Sequence, residues 1–219
     1  MSIRATFQGE LNSLKQMILE LGNQVLDAVG RSIDALKNQD IDKALKIIED
    51  DGQINLMEEE INDKAILLIA QQSPVAIDLR RVIVAIKISS DLERVGDLAV
   101  NIAKSVIRIG SKPHIKPIEE IPRIAELANK MVADSLKAYD DEDVSFAKKV
   151  AKLDDEVDEA YGRLTQELLE LMTEKPEYIG QITQLSFICR HVERVADHST
   201  NISEHLLYLV KGRRYDLND

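Results

Sequence analysis

Apolar residues recur along most of the chain at spacings that alternate between four and three, the period of one buried helix face. The clearest apolar row consists of Ile88, Leu92, Val95, Ala99, Ile102 and Val106. Turn residues interrupt this periodicity in five segments, namely NQD at 38–40, QQSP at 71–74, GSKPHIKP at 110–117, DDED at 140–143 and EKPE at 174–177. The pattern therefore predicts an all-α fold of six long helices, in which sequential neighbours run antiparallel.

The second half of the chain repeats the first half. ERVGDLAVNI at 93–102 returns as ERVADHSTNI at 193–202, an offset of 100 residues, and the apolar row returns with it. The second and fifth predicted helices correspond at an offset of 103 residues. This duplication predicts a first three-helix repeat at 1–110, a linker at 111–117 and a second three-helix repeat at 118–219.

Composition and charge narrow the class of protein. The chain of 219 residues has a formal net charge of −11, and a nucleic-acid-binding protein would instead need a basic surface. No apolar run approaches the ~20 residues that span a bilayer, so we expect no direct membrane insertion. The N-terminus lacks the apolar core of a signal peptide, and the single Cys189 excludes an intrachain disulfide. These features predict a cytoplasmic protein.

Acidic and amide side chains form rows on four of the predicted helices. A helical wheel places the rows of the third and sixth helices roughly opposite the apolar row, and places those of the second and fifth helices beside it. The rows comprise Asp51 and Asn55, then Glu93, Asp97 and Asn101, then Asp154 and Asp158, and finally Glu193, Asp197 and Asn201. Carboxylates on adjacent helices repel one another, and a bound cation would turn this repulsion into attraction. Oxygen ligands suit Mg²⁺, Mn²⁺, Ca²⁺ or iron, and zinc is also compatible.

An acidic row opposite a core is more commonly a solvated helix face, and salt bridges from Arg94 and Arg194 within the third and sixth helices favour that alternative. The three histidines of the last helix, His191, His198 and His205, share one face at a spacing of seven residues. The first repeat has no histidine at the equivalent positions, so we interpret them as boundary residues rather than ligands. No Glu-x-x-His pair and no glycine-rich phosphate loop occurs, and we predict no enzymatic activity.

Several motifs resemble those of the PhoU family over nearly the whole chain. They are SSDLERVGDLAVNIAK at 89–104, RHVERVADHSTNISEH at 190–205, EDDGQINLMEEEIN at 49–62, DDEVDEAYGRL at 154–164 and SPVAIDLRRV at 73–82. The resemblance implies a tandem pair of three-helix bundles with spectrin-like packing. It also implies multinuclear iron or zinc clusters held by Glu/Asp-x-x-x-Asp motifs, which fall here on Glu93–Asp97, Glu193–Asp197 and Asp154–Asp158. The equivalent pair in the first repeat is Asp51–Asn55, whose neutral amide implies weaker metal binding there.

The resemblance also implies a function in phosphate homeostasis. Members of the family are negative regulators that couple a phosphate ABC transporter to a sensor histidine kinase, and they are commonly homodimers. The implied partners of this chain are therefore the kinase and the ATPase subunit of the transporter. Two alternatives stay open at this stage. The chain could be a metal-free helical interaction scaffold, or a histidine phosphotransfer protein with His198 as the phosphorylated residue.

Overall fold

Helices account for nearly all of the protein in the computed structural model, which describes residues 3–116 and 118–217. The helices are α1 (Ile3–Asn38), α2 (Ile41–Gln72), α3 (Ala76–Ile109), α4 (Glu120–Asp141), α5 (Val144–Ala151), α6 (Asp154–Glu174) and α7 (Ile179–Lys211), with a 3₁₀ helix at Pro176–Tyr178. The described residues contain no strand, which confirms the all-α prediction. Residues 1, 2, 117, 218 and 219 of the predicted repeats and linker lie outside the described residues, and the repeat boundaries stay a prediction.

Each of the five predicted turns separates two helices, and a capping aspartate or a glycine completes the helix end at three of them. Asp40 caps α2 by accepting a hydrogen bond from the backbone N–H of Lys43 at 2.9 Å. Asp143 caps α5 in the same way, with the backbone N–H of Phe146 at 3.0 Å. Gly110 ends α3 with φ of +72°, a conformation that glycine adopts without steric cost.

The middle helix of the second repeat differs from the prediction because it is interrupted and becomes α5 and α6. The interruption lies at residues 152 and 153, where the backbone tightens. The N–H of Leu153 donates to the carbonyl of Val150 at 2.9 Å, and the N–H of Glu156 donates to the carbonyl of Leu153 at 3.1 Å. These are hydrogen bonds to the third preceding residue, as in a 3₁₀ helix. Asp154 consequently opens α6, whereas the equivalent Asp51 lies inside the continuous α2.

α3 and α7 lie at the centre of the molecule and form its most extensive helix contact, which joins the two bundles. α1 and α2 pack against α3, while α4, α5 and α6 pack against α7. The two central helices run antiparallel, since Arg80 near the start of α3 donates to the carbonyl of Leu209 near the end of α7 at 3.2 Å. All six residues of the predicted apolar row on α3 are buried.

Burial of the central helices extends well beyond that apolar row. Gly96 and Val100 of α3 are also buried, on the side of the helix that carries its acids. A Cβ at Gly96 would lie 3.1 Å from Cγ2 of Ile54 on α2, so this glycine permits a close approach of the two helices. The solvated-face alternative assumes that each central helix has a single buried side, whereas α3 and α7 each pack against other helices on more than one side.

None of the helices in the described structure is both long and apolar enough to cross a membrane.

Candidate metal centres

The first acidic cluster lies between α2 and α3 and consists of Asp51, Asn55, Glu93 and Asp97. Burial raises the pKa of the Asp51 carboxyl, and the neighbouring Asp97 carboxylate raises it further. Burial likewise raises the pKa of Glu93, with Asp97 as the next contribution. Each shift shows that the ionised form lacks the solvation or pairing it would have in water. The structure thus brings together four residues that the sequence placed on two separate helices.

Polar partners in the first cluster are incomplete. The side-chain N–H of Asn55 donates to Oδ2 of Asp51 at 3.4 Å, and Arg94 lies 3.4 Å from Asp97 and 3.5 Å from Glu93. Oδ1 of Asp51 and Oδ1 of Asn55 are nevertheless buried and accept no hydrogen bond from any described residue. Buried oxygens without a partner are rare in folded proteins, and an unseen ion or water is a common explanation.

The second acidic cluster lies between α6 and α7 and consists of Asp154, Asp158, Glu193 and Asp197. Asp154 and Glu193 are each only 8% exposed. Burial, followed by repulsion from Asp197, raises the pKa of Asp154 to about 6 and that of Glu193 to about 7. Burial also raises the pKa of Asp197, with Asp158 as the next contribution. Four carboxyl groups thus share a site that stabilises fewer than four negative charges.

Two hydrogen bonds from neighbouring side chains only partly offset the buried negative charge of the second cluster. Arg190 donates to Oε1 of Glu193 at 2.8 Å, and Thr200 donates to Oδ2 of Asp154 at 3.2 Å. The remaining oxygens, Oε2 of Glu193 and Oδ1 of Asp154, are buried and without a partner among the described residues. The solvated-face interpretation is therefore wrong for these two residues.

An open cleft adjoins the second cluster. The cleft is lined by three residues of the cluster, Asp154, Asp158 and Asp197. Lys148 of α5 and Asp216 of the C-terminal segment also line it. That segment folds back along the protein, and the backbone N–H of its Leu217 donates to Oε1 of Glu204 at 2.8 Å. The cleft gives the carboxylates access to solvent and to small ions.

The donor chemistry of both clusters fits a hard or borderline cation. Carboxylate and amide oxygens are the ligands that such ions prefer, and the unpartnered oxygens would gain a positive partner. Within the part of the chain that the structure describes, no three histidine, cysteine, aspartate or glutamate side chains are placed so that they could hold one metal ion in their present rotamers. The side chains would consequently have to converge on a bound ion.

The two predicted asparagine ligands of the central helices differ in their surroundings. The side-chain N–H of Asn201 donates to Oδ1 of Asp91 at 3.2 Å, which directs its amide towards α3 rather than towards the second cluster. Asn101 is half buried on α3, one turn beyond Asp97.

Asp91 is not among the site residues predicted from the sequence, yet it links the two central helices. Nδ1 of His198 lies 2.8 Å from Oδ1 of Asp91, and Nε2 of His205 lies 2.9 Å from Oδ2. Burial would raise the pKa of Asp91, but hydrogen bonds from His198 and His205 outweigh that effect and lower it to about 2. The seven-residue spacing of the histidines is the sequence signal for this contact, and it indicates a shared face without showing which residue occupies the opposite helix.

Comparison with known proteins adds identity to this geometry. The fold and the two clusters define the class, which is a tandem-repeat helical protein with a carboxylate cluster in each repeat. The family model described as PhoU domain matches both repeats, at residues 18–106 and 121–206. A phosphate-specific transport system accessory protein PhoU homolog from Clostridium acetobutylicum is 39% identical over 99% of both chains. The Escherichia coli accessory protein PhoU is 31% identical over 97% of this chain and 88% of its own length.

Solved structures agree with the sequence relatives. The crystal structure of the phosphate transport system regulatory protein PhoU from Streptococcus pneumoniae superimposes with a TM-score of 0.90, at 36% identity over 96% of this chain and 99% of that one. The structure of PhoU from Pseudomonas aeruginosa gives a TM-score of 0.89 at 34% identity, over 94% of this chain and 100% of that one. The chain belongs to the PhoU family.

Proposed function

We propose that this chain is a regulatory accessory protein of phosphate transport, which restrains phosphate uptake and the phosphate-starvation response when phosphate is plentiful. Its support is the full-length similarity to proteins that are named as accessory proteins of phosphate-specific transport systems. In this proposal the protein is a cytoplasmic adaptor rather than an enzyme. Its partners are the ATPase subunit of the phosphate ABC transporter and a sensor histidine kinase, and it forms a homodimer.

The two acidic clusters are proposed to bind metal ions, and one observation carries this part of the proposal. Asp154 and Glu193 each bury a carboxylate oxygen that has no partner among the described residues. Asp51 and Asn55 repeat this feature in the first cluster. Iron or zinc is expected, with manganese or magnesium compatible with oxygen ligands. A bound ion would neutralise the carboxylates and offer a positive charge to a phosphate or carboxylate of a partner.

The metal content of purified protein tests this part of the proposal. Protein prepared without chelators should contain stoichiometric metal by mass spectrometry. The double variant Asp154→Asn with Glu193→Gln should lose the more tightly held share, and Asp51→Asn with Glu93→Gln should lose the weaker share. In addition, metal should raise the melting temperature of the wild type, because a ligand that binds only the native state stabilises it. No metal and no such shift in the wild type would overturn the metal sites.

Binding to the transporter ATPase tests the adaptor function separately. We expect the wild type to bind the purified subunit, and we expect chelator or the Asp154→Asn with Glu193→Gln variant to weaken binding if the ion contacts the partner. A metal-free scaffold would instead bind with strong salt dependence and no response to chelator. The absence of any binding to the ATPase subunit or to the kinase would contradict the adaptor function.

Phosphotransfer through His198 is not supported by its surroundings. The His198 side chain is only 14% exposed, and its Nδ1 is engaged with Asp91 in the contact between the central helices. A phosphoryl acceptor requires an accessible ring nitrogen, so we retain the adaptor function.

A further inference from the structure

α2 exposes three leucines on the face opposite the protein core. Leu45, Leu56 and Leu67 are 47%, 61% and 54% exposed, and we refer to these three residues as the leucine ridge. Successive members are separated by 11 residues, which is about three helical turns, so they lie along one side of the helix at intervals of about 16 Å. Single exposed leucines are common on protein surfaces, but three of them in line along one helix offer a partner helix several apolar anchors along its length.

Acidic residues occupy the same face between these leucines. They are Glu49, Glu59, Glu60 and Asp63. Glu49 is paired with Lys46 at 3.4 Å, whereas none of the other three side chains forms an ion pair or hydrogen bond with any residue in the described ranges. The face therefore alternates apolar contacts with available negative charge. It is distinct from the face of α2 that carries Asp51 and Asn55.

The second repeat provides an internal control for the structural importance of the leucine ridge. At the offset of 103 residues, its equivalents are Lys148, Glu159 and Glu170. The same fold therefore forms with charged residues at all three positions, since the core lies on the other side of the helix. Folding gives no reason for leucine at these sites, and binding does.

We propose that the leucine ridge docks a basic amphipathic helix of a partner protein, an inference that rests on the adaptor role proposed above. The leucines would pack against the apolar side of that helix, and its lysines or arginines would pair with Glu59, Glu60 and Asp63. Helices that dock in this way present apolar residues at helical spacing with charges alongside them. The overall charge of −11 also favours a basic partner.

A second copy of this chain fits the leucine ridge poorly. A two-fold axis allows two arrangements of paired α2 helices. An antiparallel pair centred on Leu56 places Leu45 opposite Leu67 of the partner copy, and it places Glu49 opposite Asp63 of that copy. A parallel pair places each acid opposite its own equivalent. Both arrangements bring like charges together, which opposes association.

A designed peptide provides a defined probe for this proposal. The probe is a helical peptide of about 24 residues, long enough to follow the ridge from Leu45 to Leu67, with leucines on one side and lysines flanking them. We expect this peptide to bind the wild type in a fluorescence anisotropy titration and to bind more weakly as salt rises. A variant that carries the residues of the second repeat, Leu45→Lys with Leu56→Glu and Leu67→Glu, should bind at least about tenfold more weakly.

Matched controls distinguish the ridge from other surfaces. Leu169→Glu removes an exposed leucine of the second repeat and should leave peptide affinity unchanged. A peptide with glutamates in place of lysines should not bind. Equal affinity of the peptide for the wild type and the triple variant would overturn the proposal. So would self-association of the wild type that the triple variant abolishes in sedimentation experiments, since a second copy would then be the occupant.

The binding experiments distinguish failure of the leucine-ridge proposal from failure of the proposed adaptor function. The triple variant should keep its full metal content and its melting temperature, because the substituted leucines are exposed and belong to neither the acidic clusters nor the buried core. If it also binds the transporter ATPase and the kinase like the wild type, the ridge proposal fails and the adaptor function stands. If the wild type binds neither partner, the adaptor function fails whatever the peptide does.

Discussion

The two acidic clusters occupy equivalent places in the two repeats, yet the second holds more charge in a more buried position. Asp158 in the second cluster replaces Asn55 of the first, which adds a carboxylate. The side chain of Glu193 is 11% exposed, compared with 22% for Glu93. Duplication has thus kept the position of the site while the two copies came to differ in electrostatic strain.

This difference has opposite consequences in the absence and presence of metal. Without an ion, the second cluster should cost more stability than the first, because buried like charges repel and lack solvation. With an ion, the same charges should bind it more tightly. The comparison therefore predicts that the less stable cluster of the metal-free protein is the stronger metal site.

Neutralising the second cluster should have the largest effect on stability. Asp154→Asn with Glu193→Gln removes two buried charges and leaves oxygen acceptors for Thr200 and Arg190. In chelator at pH 7.5 we expect the free energy of unfolding to rise by about 3 kcal/mol, since one pKa unit corresponds to about 1.4 kcal/mol and the two shifts overlap. Urea unfolding followed by circular dichroism measures this gain.

The pH dependence of the same variant tests the cause of that gain. The folded pKa values of about 6 and about 7 lie above the ordinary ones, so the native state holds protons that the unfolded chain releases. Wild-type stability should therefore fall as pH rises from about 4 to 7, and the variant should lose less over this range. Asp51→Asn with Glu93→Gln should give a smaller gain. Equal gains from the two double variants would contradict the difference between the clusters.

Inserting a larger side chain where α2 and α3 approach each other closely should have the next largest effect on stability. Gly96→Val places a Cβ where Ile54 Cγ2 would lie at 3.1 Å and Asp51 Oδ1 at 3.8 Å, whereas the equivalent Ala196 already accommodates a methyl group. We expect a loss of about 2 kcal/mol in urea unfolding, together with weaker metal binding at the first cluster alone.

Gly52→Val is the matched control for that substitution, because a Cβ at Gly52 would contact nothing within 4 Å. Its stability should change by less than about 0.5 kcal/mol, given the small difference in helix propensity. A similar loss in both variants would indicate a backbone effect rather than the close approach of α2 and α3.

The sequence was sufficient to predict most of the fold, because the turn signals are local. Proline, glycine and capping aspartates such as Asp40 and Asp143 act within a few residues, and all five predicted turns lie between helices. The interruption at residues 152 and 153 carries no glycine or proline, so local reasoning predicted one continuous helix there. The structure offers no local turn motif that would have revealed it.

The sequence was sufficient to predict which residues form the two acidic clusters, but not how deeply those residues are buried. A helical wheel places Glu93 and Glu193 opposite one apolar row, and a helix with a single buried face would leave both in solvent. The central position of α3 and α7 gives each helix a second buried side, which depends on how the two bundles pack. The pairing of Asp91 with His198 needs the register between α3 and α7, and no local pattern contains it.

The contact between the central helices should show the same asymmetry between repeats at a smaller scale. Asp91 is held by His198 and His205, whereas the equivalent residue of the second repeat, His191, has a buried Nδ1 without a partner among the described residues. Asp91→Asn should cost about 1.5 kcal/mol in urea unfolding at pH 7, because it weakens charge-assisted hydrogen bonds between the bundles. His191→Asn should cost less than about 0.5 kcal/mol.

Because the pKa of Asp91 is lowered to about 2, its contribution to stability is complete above about pH 4 and is lost towards pH 2. Equal costs at the two positions would show that the histidine pair contributes no more than ordinary packing, and the asymmetry would then be confined to the acidic clusters.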